Sequence, residues 1–141
     1  MRLIVLDTNV VISAGIGRPG PPAKIIDEWV LGGRIQVLTC PRILREYRDV
    51  ASRDKLHRYG FPPRWLDIMI RNSLQLPDPP DWPHHLPDPK DAPFLALAKT
   101  AGAWLVTGNI KHFPKAARNG ITVLSPADYL AHLEQSDLLS R

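Results

Sequence analysis

The sequence predicts an α/β domain: a mostly parallel central sheet of about four to five strands flanked by helices on both faces. Short, nearly continuous apolar runs at residues 2–6, 35–38, 104–107 and 121–124 read as strands buried on both sides. Between them lie segments whose apolar residues recur at helical spacing, and Pro or Gly punctuates almost every junction. The order β-α-α-β-α-α-α-β-β-α that results is that of a sheet covered by helices, and such folds place their sites at the carboxyl ends of strands.

Residues 2–6 run straight into the polar cluster Asp7-Thr8-Asn9, a strand meeting its loop, and residues 14–22, rich in Gly and Pro, break the chain. Pro22 opens a helix carrying Ile25, Ile26, Trp29 and Val30 on one face, which Gly32-Gly33 ends. After the strand at 35–38, Pro41 starts another helix in the same way. There Ile43, Leu44, Tyr47, Val50 and Ala51 share a face, Arg42, Arg45, Arg48 and Asp49 fall outside it, and Glu46 lies on the border. Pro62-Pro63 opens a helix through Trp65, Ile68, Met69 and on to Leu74, and residues 77–87 form a stiff Pro-rich loop that delivers the chain to Asp88. A buried helix over 91–101, strands at 104–107 and 121–124, and a last helix over 126–133 complete the reading.

At 141 residues the chain suits one domain, spanning 1–141, with one continuous core. Its 44% apolar and 23% charged content excludes a disordered or fibrous chain. No apolar run approaches the roughly 18 residues of a membrane span, and Asp7 interrupts the first apolar run too soon for a signal peptide, so a cytoplasmic protein without a membrane partner is expected. The single cysteine, Cys40, rules out an internal disulfide and a Cys-based zinc cage and reads as a buried thiol. The formal charge is +4, and residues 42–71 carry that excess through Arg42, Arg45, Arg48, Arg53, Lys55, Arg58, Arg64 and Arg71 against Glu46, Asp49, Asp54 and Asp67. Such a segment fits a polyanion-binding surface or a solvated Arg-rich helix face.

A parallel sheet would bring Asp7, at the end of the first strand, near Asn109, beyond the strand at 104–107, and near Asp91, which opens the preceding helix. Convergent carboxylates suit hard cations such as Mg²⁺ or Mn²⁺, which take oxygen ligands and can bind both the attacking and the leaving oxygen of a phosphodiester. Each residue also has a plain structural use. Asp7 can cap a helix, Asp88-Pro89-Lys90-Asp91 is a capping sequence, and Glu46 can pair with Arg42 one turn earlier. Trp82 can stack on an unpaired base or pack over its own loop, whereas Trp29, Trp65 and Trp104 read as core or dimer-contact residues. His84-His85 lacks a third ligand at suitable spacing. An aspartyl phosphatase wants a second Asp where Asn9 stands, and no dinucleotide or P-loop glycine motif is present.

Taken together, Leu6-Asp7-Thr8-Asn9-Val10, Leu44-Arg45-Glu46-Tyr47, the stretch from Asp88-Pro89-Lys90-Asp91 to Ala98, and Leu105-Val106-Thr107-Gly108-Asn109 resemble the PIN-domain family. The resemblance is closest to its VapC-like toxin components of toxin–antitoxin pairs and spans nearly the whole chain. It implies a Mg²⁺- or Mn²⁺-dependent endoribonuclease in which Asp7, Glu46 and Asp91 match the recurrent carboxylates, Asp88 an additional acid, and Asn109 a fourth ligand position that is often Asp. Thr8, Asn9 and Thr107 would orient those ligands, and Arg42, Arg45, Arg48 and Trp82 would contact RNA. It further implies products with a 5′-phosphate and a 3′-hydroxyl, a cognate antitoxin and a homodimer. His112 stands where other members commonly carry Asp, which leaves open whether one or two metals bind, and with Asn109 this departure leaves open a catalytically inactive PIN-like module binding RNA or protein.

Overall fold

The computed structural model describes residues 2–17, 19–53, 56 and 63–139, and its central strand is the first in sequence, β1 (Arg2–Leu6). On one side β1 pairs with β2 (Ile35–Thr39) in the register Ile4↔Val37, and on the other with β4 (Trp104–Val106) in the register Leu6↔Val106. The edge strands are β3 (Leu74–Gln75) beside β2 and β5 (Val123–Leu124) beside β4, so the order is β3-β2-β1-β4-β5 with every pair parallel. Ile4, Val5 and Leu6 are buried, as befits a central strand covered on both faces.

The chain winds outward from β1 to β3, then crosses back to β4 on the far side of β1. Because parallel crossovers are right-handed, this reversal distributes the helices over both faces and opens a crevice between the carboxyl ends of β1 and β4. The flanking α-helices are α1 (Thr8–Gly15), α2 (Pro21–Lys24), α3 (Pro41–Ala51), α4 (Pro63–Arg71), α5 (Ala92–Ala101) and α6 (Pro126–Leu139). Among the described residues no helix is long and apolar enough to cross a membrane.

The two helices that position acidic residues are built differently. In α3, Pro41 sits in the first turn, Ile43, Leu44 and Tyr47 are buried, and Arg42, Arg45, Arg48 and Asp49 face solvent. The Tyr47 hydroxyl, fully buried, donates to the carbonyl of Leu6, tying α3 to the last residue of β1. Helix α5 is buried along Phe94, Leu95, Ala96, Leu97 and Ala98, and stops where Gly102 turns left-handed (φ 65°), the Ala103 N–H bonding back to the Ala98 carbonyl at 2.8 Å.

Several expectations change in detail. The second helix continues from α2 as a π-helical stretch, Ile25–Val30, whose wider winding buries Ile25, Ile26, Trp29 and Val30 together. Helix α4 does not reach Leu74. The Asn72 side chain donates to the Ile68 carbonyl at 2.8 Å and the Ser73 hydroxyl to the Ile70 carbonyl at 2.6 Å, which ends the helix and releases Leu74 to pair with Leu38 as the edge strand. The strand expected over 121–124 shortens to Val123–Leu124, and the last helix extends to Leu139. Pro62, and with it Asp54, Lys55 and Arg58 of the basic segment, lies outside the described residues.

Replacing Tyr47 with Phe removes one hydrogen bond and strands the buried Leu6 carbonyl. The expected loss is about 1–3 kcal/mol of unfolding free energy, read as a lower urea midpoint with an unchanged slope.

Candidate active site

Asp7 follows β1 directly and its backbone N–H still belongs to the sheet, bonding the Val106 carbonyl at 2.9 Å. The side chain is only 5% exposed, so both of its oxygens need partners. Oδ1 accepts the Thr8 N–H at 2.7 Å, while Oδ2 accepts the Thr107 hydroxyl at 2.7 Å and the Asn9 side-chain amide at 3.3 Å. Capping of α1 and membership of the site are thus both true of Asp7. The Thr107 hydroxyl in turn accepts the Asn109 N–H at 3.0 Å, and Asn9 Oδ1 accepts the Gly108 N–H at 2.9 Å. Two loops from neighbouring strands are stitched through one carboxylate.

Glu46 arrives from α3, one residue before the tyrosine pinned to Leu6, and accepts the Thr8 hydroxyl. The pairing with Arg42 expected of a surface glutamate does not form: the Arg42 side chain lies 3.7 Å from Asp81, and the Arg42 backbone N–H donates to Asp78 at 2.9 Å. Asp88 and Asp91 bracket a 3₁₀ turn, Pro89–Asp91, ahead of α5. Asp88 caps it, accepting the Lys90 N–H at 3.0 Å. Asp91 makes no capping bond; its Oδ2 lies 3.1 Å from His112 Nδ1. The capping motif thus divides its labour, leaving the buried aspartate for the site.

These side chains line one cavity of about 650 Å³: Asp7, Thr8, Asn9, Glu46, Asp88, Asp91 and Asn109 among them. Thr107 lies beneath, fully buried. Arg53, Lys90 and His112 line it as well. The first two were read only as part of a basic segment and a capping sequence; the signal available was the spacing of Arg53, two helical turns beyond Glu46 on the same face. Arg42 and Trp82 line a neighbouring groove instead, Trp82 directing its indole N–H to the Ala117 carbonyl at 2.9 Å. Arg45 and Arg48 are exposed on α3 and line neither. His84 packs edge-on against Trp82, and Cys40 is buried.

Crowding raises the acids' pKa values. Burial raises that of Asp7, opposed by its bonds to Thr107 and Thr8. Burial raises that of Glu46 too, the charges of Asp7 and Asp88 adding to it and the Thr8 bond opposing it. Burial and then the charges of Asp7 and Asp88 push Asp91 up to about 6, against the pull of His112. A cluster of hard oxygen donors whose negative charge is held at a cost fits a divalent cation by its chemistry. Among the described residues, no group of three His, Cys, Asp or Glu side chains stands ready-made for one. Asp7 is turned toward Thr8, Asn9 and Thr107, and Asp91 toward His112.

A family model for the PIN domain matches residues 3–111, from the first strand through the Thr107-Gly108-Asn109 loop. This chain belongs to the PIN domain family. Among solved structures, VapBC2 from Rickettsia felis bound to a DNA fragment from their promoter superposes with a TM-score of 0.63 at 16% identity, covering 87% of this chain and 98% of that one. PAE2754 from Pyrobaculum aerophilum superposes with a TM-score of 0.57, also at 16% identity, covering 96% and 90%. Likenesses at this identity speak for the PIN fold. No curated protein matches the sequence.

Thr107→Val keeps the shape of the side chain and deletes one donor to the buried Asp7 carboxylate, so the unfolding free energy should fall by about 1–3 kcal/mol, read as a lower urea midpoint. For Asp91, a folded pKa near 6 against an ordinary value of 3.8 means that the fold favours the protonated form. The resulting stabilisation is complete below about 3.8 and lost as pH rises through about 6. In metal-free buffer, Asp91→Asn should therefore be more stable than the wild type at pH 7, by an amount on the order of 1–3 kcal/mol, an advantage that shrinks toward pH 4. Denaturant melts at the two pH values read the difference.

Proposed function

We propose that this PIN domain is a metal-dependent endoribonuclease and the toxin of a toxin–antitoxin pair. The observation that carries the reading is the convergence of Asp7, Glu46, Asp88 and Asp91 on one cavity at the carboxyl end of β1, brought there from three separate parts of the chain. Maintaining four carboxylates in one partly buried place has little physical rationale without a cation to neutralise them.

Asp7, Glu46, Asp91 and Asn109 would hold Mg²⁺ or Mn²⁺. The bound ion supplies Lewis-acid polarisation of a phosphodiester and a water that ionises near neutral pH. The chain's own work is positional. Thr107, Thr8 and Asn9 fix the oxygens of Asp7, and Thr8 also fixes Glu46. Asp88 adds charge at the rim while capping the turn that presents Asp91. Arg53 and Lys90, the cations beside these acids, draw the phosphate backbone to the cavity. Hydrolysis by direct attack of water, with no covalent intermediate, leaves a 5′-phosphate and a 3′-hydroxyl.

The toxin assignment draws support from the fold shared with the VapBC2 structure. On this reading a cognate antitoxin silences the protein by placing a basic side chain or an occluding segment among the carboxylates, the active form is a homodimer, and the protein works in the cytoplasm. One observation favours a second reading, an inactive module that binds RNA or protein: His112 Nδ1 lies 3.1 Å from Asp91 Oδ2, so the imidazole competes with any cation for that carboxylate oxygen.

Wild type and Asp7→Asn incubated with pooled single-stranded and structured RNAs separate the two. The nuclease cuts in Mg²⁺ or Mn²⁺, stops in excess EDTA, and is abolished by the substitution. RNA binding that persists in EDTA without cleavage in any metal would establish the inactive module.

A further inference from the structure

The cavity holding the carboxylates does not end at its acidic wall. Lys90 lines it on one side and on the other lines a second groove of about 280 Å³, walled by Trp82 and the prolines of the loop and the 3₁₀ turn, with Arg42 at the start of α3 and one acidic residue, Asp81, at its edge. We propose that this groove is the path of a single RNA strand leaving the acidic site, with Lys90 and Arg42 holding successive phosphates and the Trp82–proline wall receiving the base between them. The inference rests on the nuclease reading and adds to it the form of the substrate.

Continuity and charge favour this occupant. Single-stranded nucleic acid is bound by cations that track its backbone beside apolar surfaces on which bases lie flat, and here both come together next to the candidate scissile site. The wall is stiff: the prolines fix their own φ, and Trp82 is held by its bond to the Ala117 carbonyl at 2.9 Å. Its shape is set before ligand arrives, so little side-chain order is lost on binding. Lys90 is exposed, and among the described residues no ion pair of its ammonium is found. Arg42 is shared with Asp81 at 3.7 Å, but that carboxylate is 95% exposed, and such a pair yields readily to phosphate. A base that lies against the Trp82–proline wall must be free of its pairing partner, so the strand is unpaired where it crosses.

The test is fluorescence anisotropy with a labelled single-stranded oligoribonucleotide of about a dozen residues, in the uncut Asp7→Asn background and in EDTA. Lys90→Ala and Arg42→Ala are each expected to weaken binding about tenfold and to lower the slope of log affinity against log salt by about 1, with Trp82→Leu weakening binding without changing the slope. Arg71→Ala, a surface change away from both cavities, controls for loss of charge alone. The same oligonucleotide annealed to its complement is expected to bind more weakly than the single strand.

If the Lys90 and Arg42 variants bind as their parent does, or no more weakly than Arg71→Ala, RNA does not run through the groove and the inference is overturned. Equal binding of duplex and single strand overturns it as well. These readings are independent of cleavage: a wild type that cuts RNA while its groove variants bind normally keeps the nuclease and loses the groove. A wild type that never cuts, yet binds through Lys90 and Arg42, keeps the groove and loses the nuclease.

Discussion

The structure depends on keeping a carboxylate buried at the end of its central strand. Asp7 sits where water is largely excluded, and an ionised group there must be satisfied by fixed donors. The Thr8 N–H, the Thr107 hydroxyl and the Asn9 amide meet that need, and each fixes something else in doing so. Thr8 begins α1, Thr107 follows directly on β4, and Asn9 holds the Gly108 amide. The crevice between β1 and β4 therefore takes its shape from the demands of one side chain.

The sheet makes that arrangement possible. With β1 in the middle, the loops leaving β1 and β4 emerge side by side and diverge to opposite faces, and the gap between them is where α3 and α5 can both deliver acids. Each is delivered with its own anchor: Glu46 beside a tyrosine bonded to the strand, Asp91 at the mouth of a helix buried along its length. Asp7, Glu46 and Asp91 come from separate segments anchored in the core, so none of the three can relax away from the others without disturbing core packing. Their raised pKa values are the electrostatic trace of that confinement.

Much of this was legible in the sequence. The central strands are apolar throughout because both faces are covered, and the strand ends bring Asp7, Asp91 and Asn109 together by pattern, whereas Glu46 and Asp88 joined them only through the resemblance to the PIN-domain family. What was not legible depends on partners distant along the chain. Leu74 continues the apolar spacing of α4, and only the side chains of Asn72 and Ser73, bonding back to the helix, show that it leaves to become an edge strand. Glu46 has an arginine one turn away and nonetheless bonds to Thr8, because the fold carries Thr8 to it. Trp82 reads as a free aromatic in a loop, but its indole reaches Ala117 across the surface. Lys90 looks like the interior of a cap, and its position between two cavities exists only in three dimensions.

Gly108 lies so close to Asn9 that a β-carbon at that position would sit 3.1 Å from the Asn9 side-chain oxygen. The backbone there would accept another residue, so the restriction comes from the neighbour alone. A single added methyl group must push the Asn9 amide aside, and that amide is one of the donors to Asp7. Position 108 is thus a point at which a one-codon change would alter the hydrogen bonding, and with it the basicity, of the buried Asp7 carboxylate without touching any acidic residue.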